Sequence, residues 1–307
     1  VNSLVVVLDG IMATIPFEAL LMEPVDDIAD YASLPYLVND FNISYTFSAN
    51  LLYKTFRNEK TIRPKAEKDG FIIAPVNFDA PYTEILNNAK AASYEESGVA
   101  KALQKNVSAM QSNNLPGSAV EVAEIDSLFS SSGKASNLLT YQEASEATLK
   151  SSSLNQYQYV HIASHGFVNQ EEPEFSGILF SMDSTQEDGI LFSGEVYNLA
   201  LNAELVTLSA CETGLGKISQ GEGIIGLSRA LIYAGGKNIN VSLWPVSDAS
   251  TQQLMGDLYE NLAHVEVPSD IMQSLNYAQS LGAAKRKMIK EGAFSHPYYW
   301  SPFILLG

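Results

Sequence analysis

Cysteine is nearly absent. Cys211 is the single one in 307 residues, which excludes an intrachain disulfide and points to a reducing, cytoplasmic setting. Histidine is scarce too: His161, His165, His264 and His296 are the four. Basic residues are few, 18 Lys and Arg against 35 Asp and Glu, for a formal net charge of −17. Such a surface repels phosphate backbones, so direct nucleic-acid binding is a poor expectation; a basic partner or basic substrate segment suits it better. Long hydrophobic runs are also missing. No apolar stretch approaches the roughly 20 residues of a membrane helix, and no signal peptide is visible. The first residue is Val1, so the sequence reads as a piece of a longer chain or a processed product.

Apolar residues make up 46% and charged residues 17%. That is enough for a sizeable core and excludes a disordered chain. The opening run Leu4-Val5-Val6-Val7-Leu8 reads as a buried strand ended by Asp9-Gly10. Pro16 is placed to open a short helix. Phe71 to Val76 reads as a second buried strand. From Asn77 to Gly117 the apolar pattern weakens, which predicts a mobile insertion. Val122, Ile125, Leu128 and Phe129 then form a helical stripe. Tyr157–Ala163, Glu204–Ala210 and Asn238–Trp244 are strand-like. Gly223–Ala234 reads as a helix closed by Gly235. Asp248 is placed to cap a helix with Leu254, Leu258 and Leu262 on one face. A further helix runs from about Ser269 to Lys290, and Tyr298–Leu306 reads as a last strand. Strands alternating with helices predict an α/β fold with a mainly parallel sheet. No internal repeat is visible.

In such a sheet, catalytic groups collect at the carboxyl ends of the strands. His165 follows one predicted strand and precedes Gly166. Cys211 follows another and precedes Glu212-Thr213-Gly214. The two are 46 residues apart, room for one crossover or a little more. A histidine about 50 residues before a cysteine is also the caspase spacing. The chemistry expected of the pair is acyl transfer, with a thiolate attacking a peptide carbonyl and an imidazole managing the protons. A free thiol titrates near ~8.5 and needs help at neutral pH. Glu212 gives none, because an adjacent negative charge raises a thiol pKa, so a preformed thiolate–imidazolium pair is not assumed. The amides of Gly166 and Cys211 are candidates for an oxyanion hole. Taken singly, Cys211 reads as a small buried hydrophobe and His165 as a loop histidine; only their joint placement points to chemistry.

Three other motifs fail on context. His161 and His165 have the i, i+4 spacing of a zinc pair on a helix, but on a strand four steps span about 13 Å. Gly221-Glu222-Gly223-Ile224-Ile225-Gly226 matches a dinucleotide fingerprint in letters, yet begins about ten residues after its strand. Gly226-Leu227-Ser228-Arg229-Ala230 resembles a nucleophile elbow but falls inside a predicted helix. No cofactor and no metal is therefore expected.

Val160-His161-Ile162-Ala163-Ser164-His165-Gly166 resembles the histidine motif of CHAT-domain proteins, caspase-like proteins often preceded by tetratricopeptide repeats. Leu205-Val206-Thr207-Leu208-Ser209-Ala210-Cys211-Glu212-Thr213-Gly214 resembles their cysteine motif. The likeness extends to Gly221-Glu222-Gly223, Ser242-Leu243-Trp244-Pro245-Val246-Ser247-Asp248, His296-Pro297-Tyr298-Tyr299-Trp300 and the opening Ile15-Pro16-Phe17-Glu18-Ala19-Leu20-Leu21. The caspase signature Q-A-C-x-G is not matched, since Ser209 stands for its Gln and Gly214 comes late.

The resemblance implies a caspase/separase-like α/β/α sandwich with a mainly parallel sheet and an N-terminal pseudo-caspase-like part. The whole of 1–307 would be one peptidase domain, with an N-terminal part over 1–115 and a catalytic part over 116–307. It implies a cysteine endopeptidase with Cys211 as nucleophile and His165 as general acid/base. Around Ser242, Leu243 and Trp244 a strand edge would pair with an extended protein substrate. Asp248 would select a basic residue on the scissile side, or else act as a plain helix cap. His161 reads as a strand histidine that supports the site, and His264 and His296 as structural. Lys105 and Lys217 lie in loops open to autocleavage. Upstream tetratricopeptide repeats or an activator would regulate the enzyme, in signalling or defence. The rival reading is a non-catalytic caspase-like scaffold for protein interactions.

Overall fold

The computed structural model describes residues 2–26, 30–50, 52–53, 66–78, 114–168, 173–182, 187–212, 222–263 and 272–307. The strands are β1 (Asn2–Val7), β2 (Phe41–Thr46), β3 (Lys68–Ala74), β4 (Ser136–Thr140), β5 (Tyr157–Phe167), β6 (Gly177–Leu179), β7 (Ile190–Phe192), β8 (Leu205–Glu212), β9 (Asn238–Ser242) and β10 (Phe303–Leu306). The helices are α1 (Leu37–Asp40), α2 (Pro116–Ser131), α3 (Glu146–Ser151), α4 (Ser193–Val196), α5 (Glu222–Ala234), α6 (Asp248–Ala263), α7 (Met272–Glu291) and α8 (Pro297–Trp300). One sheet runs in the order β1-β2-β10-β9-β8-β5-β3-β4. Every neighbouring pair on that path is parallel except β10 with β9. β6 pairs antiparallel with the end of β5, and β7 with β6.

Alternation along the strands divides the core in two. Ile72, Ala74, Tyr159, Ala163, Phe303 and Leu305 pack with Val122, Ile125 and Phe129 of α2, Leu254 and Leu258 of α6, and Leu281 and Met288 of α7. Phe71, Ile73, Val160, Ile162, Val206, Ile304 and Leu306 point the other way, toward Leu227, Ala230 and Leu231 of α5 and Leu149 of α3. The fold is an α/β/α sandwich. Its central strands are apolar on both faces because helices cover both, the usual condition of a parallel sheet.

Several expectations shift. β1 pairs only with β2 and is half-exposed along its length, so it is an edge strand rather than a buried one. Pro16 opens only a single 3-10 turn, Phe17–Ala19. β2 and β4 were not anticipated. β3 lies between β5 and β4 in the sheet, although it comes before both in sequence. Most of the expected mobile insertion, 79–113, lies outside the described residues, as do Lys105, Lys217, Gly221 and His264.

α2 shows how remote parts are joined. Pro116 suits its first turn, but Leu115 offers no side-chain cap. Asp248, at the start of α6, supplies one by accepting the Gly117 N–H. A Cβ at position 117 would sit 2.6 Å from that carboxylate, so the approach requires glycine.

Candidate active site

β3, β5, β8 and β9 are mutually parallel, so their carboxyl ends share one edge of the sandwich. His165 and Gly166 lie near the end of β5, Cys211 near the end of β8, Ser242 at the end of β9, and Asp248 at the start of α6. Both strands run further than their sequence patterns indicate, so His165 and Cys211 are strand residues rather than loop residues. Their register is direct: His165 is paired with Cys211, and Gly166 with Glu212. Adjacent strands are about 4.8 Å apart, so the two backbone positions are immediate neighbours. The connection between the two strands holds β6, β7 and α4.

By strand alternation His165 falls on the face of Tyr159, His161 and Ala163. Its side chain is fully buried, 0% exposed. The Phe78 ring lies against it, centroids 4.4 Å apart and planes tilted by 59°. Ser164, on the opposite face, donates to the Leu179 carbonyl and ties β5 to β6.

His161 occupies a different environment. Its Nε2 is 2.7 Å from a Glu121 carboxylate oxygen on α2, and its Nδ1 is 3.1 Å from the Tyr259 hydroxyl on α6. Tyr259 in turn donates to Thr207 Oγ1 on β8 at 3.2 Å. All four residues are buried. Desolvation pushes the Tyr259 phenol well above its usual range, so it stays a neutral donor. The network ties both helices to the middle of the sheet. Sequence reading did not identify Glu121 or Tyr259 as the partners of His161.

The other expected site residues are distributed as follows. β9 is interior, between β8 and β10; its pairing with β8 runs to Val241, and Ser242 pairs with Phe303 of β10. Ser242 is therefore not on an outer edge of the sheet. Its hydroxyl donates to the Trp244 carbonyl at 2.6 Å, and the Leu243 N–H donates to the Pro302 carbonyl. Trp244 stacks on Tyr298, with its indole N–H donating to the Tyr298 carbonyl at 3.1 Å. The Tyr298 hydroxyl returns a bond to the Pro245 carbonyl at 2.7 Å. Asp248 is committed to the Gly117 N–H, and burial pushes its carboxyl above the usual range despite that bond.

Among the described residues, the acidic group Glu146, Glu187 and Glu195 has metal-like spacing. Lys150 Nζ fills it, 2.6–2.7 Å from all three. No helix among the described residues is long and apolar enough to cross a membrane.

An α/β/α sandwich with a histidine and a cysteine in register at its strand ends defines the class. The sequence matches the CHAT domain over residues 1–307; the chain belongs to the CHAT-domain family. It is also similar to tetratricopeptide repeat protein 28 of Mus musculus, 30% identical over 118 residues, and of Homo sapiens, 31% identical over 118 residues. Those matches cover 38% of this chain and only 4% of each relative. Among solved structures, the Arg-specific cysteine proteinase gingipain R superposes with a TM-score of 0.48 at 12% identity, over 87% of this chain and 54% of that one.

Proposed function

We propose that the chain is a cysteine endopeptidase acting through a dyad of Cys211 and His165. The observation that carries this is the register that seats the two positions side by side at the strand ends. His165 takes the Cys211 thiol proton as Sγ attacks the scissile carbonyl, and passes it to the leaving amine as the C–N bond breaks and the acyl-enzyme forms. His165 then takes a proton from water as that water attacks the thioester and frees the thiol. The amides of Gly166 and Cys211 receive the oxyanion. An extended protein segment lies along Ser242, Leu243 and Trp244 where β9 leaves the β8 ladder. Asp248 favours a basic side chain before the scissile bond. Tetratricopeptide repeats, present in the relatives by name, supply the partner or activator.

The reading as a non-catalytic scaffold draws support from one observation, the complete burial of His165. A base shut away from substrate moves no protons. Incubating wild type and Cys211→Ala with a diverse peptide library, products read by mass spectrometry, tests the proposal. Cleavage by the wild type alone is expected. No cleavage by either, with and without tetratricopeptide repeats fused ahead of the chain, would leave the scaffold.

A further inference from the structure

The Phe78 ring packs against His165. It is 1% exposed and seated in an apolar cluster with Phe167, Leu179, Ile190 and Phe192. The backbone that carries it is strained. The Asn77 N–H donates to the Pro75 carbonyl at 2.7 Å, which closes a three-residue turn around Val76. Val76 has φ +64°. A γ-turn of that hand is rare, and a β-branched residue resists it further. Such strain persists only where the surroundings over-determine it. Here the Phe78 N–H donates to Asn114 Oδ1 at 2.9 Å, and the Leu115 N–H donates to the Val76 carbonyl at 2.8 Å. The start of α2 thus holds the strained turn shut.

We infer that Val76–Phe78 is an autoinhibitory latch: the Phe78 ring covers His165 and closes the proposed site, and relaxation of the Val76 turn lifts it away. This rests on the dyad reading for its effect on cleavage; the shielding of His165 stands apart from it. Turn strain favours opening, while the apolar seat and the Asn114 bond favour closure. A binding event that disturbs the start of α2, or competes for the Phe78 seat, shifts that balance.

The test is chemical access. The whole chain is treated with diethyl pyrocarbonate, and carbethoxylation is mapped residue by residue by tandem mass spectrometry. His296 is exposed and serves as the internal reference. In wild type His165 is protected. Phe78→Ala raises its rate relative to His296 by about tenfold or more. Asn114→Ala raises it less, in the same direction, and leaves the apolar seat intact. Thermal melts by circular dichroism show which variants fold; if Phe78→Ala does not, Asn114→Ala decides. A His165 rate equal to wild type in every folded variant overturns the latch, as does rapid modification of wild type. Peptide cleavage by the same variants separates the two proposals. His165 reactivity that rises while no cleavage appears keeps the latch and removes the peptidase. Cleavage by wild type with His165 reactivity unmoved in the variants does the reverse.

Discussion

His161 and His165 share one strand and one face of it, four residues apart. His161, in the middle, has a charged or polar partner on each ring nitrogen, supplied by helices that pack over the sheet. His165, near the carboxyl end, lies beside the Cys211 position and under an aromatic ring. Residue type is the same; position along the strand decides the use. The middle of a parallel sheet is where helices dock. Its carboxyl end is where loops from several strands meet and a substrate can approach. A histidine spent on stability therefore sits four residues, two repeats of the pleat, away from the one proposed for chemistry.

Substitutions can break that contrast. His165→Gln is expected to lower kcat/KM for peptide cleavage by about 1,000-fold, roughly 4 kcal/mol in the barrier, with a smaller loss of Tm than at His161. His161→Ala leaves the Glu121 carboxylate buried without its imidazole and is expected to cost about 3 kcal/mol in urea unfolding. Its kcat per folded molecule should stay close to wild type; a collapse of kcat in a folded His161→Ala protein would erase the division of labour. Asp248→Asn has the smallest effect and sharpens the comparison at the helix cap. The folded-state pKa of Asp248 is raised above 3.8 by burial, so its contribution to stability is full below that value and falls as pH rises through the folded pKa. The Asn variant, still able to accept from Gly117, should lack this decline and hold a flatter urea midpoint between pH 4 and pH 8. If basic selectivity before the scissile bond survives the change, Asp248 is a cap alone.

Much of this arrangement could be read from residues in order. β3, β5, β8, β9 and β10 are buried on both faces, and such strands write themselves as continuous apolar runs. β2 escaped because Asn42, Ser44 and Thr46 alternate along it and look like surface. They are buried, and Asn42 Oδ1 accepts from the Arg286 guanidinium on α7. β1 misled for the opposite reason: an aliphatic run marks a strand without saying that it lies at an edge. His165 and Cys211 were legible as residues, but their register was not, since it depends on which strands become neighbours. Phe78 left no local sign, because its role comes from a backbone turn and from Asn114, far along the chain. Nor did the buried Lys285, whose Nζ donates to Glu18 Oε1 at 2.7 Å. Two charges separated by nearly the whole chain make no pattern in sequence.

The place of β10 has a consequence for how the molecule is made. It is the last of the described strands in sequence, yet lies between β2 and β9 and bonds both. Until it has been synthesised, the β1–β2 pair has no strand to join it to the rest, and β9 offers a bare edge. Pairing of such distant segments is slow, and open edges invite pairing with other chains. A chain cut before Phe303 would hold the proposed dyad strands β5 and β8 in full, yet would lack the strand that makes its two parts one sheet.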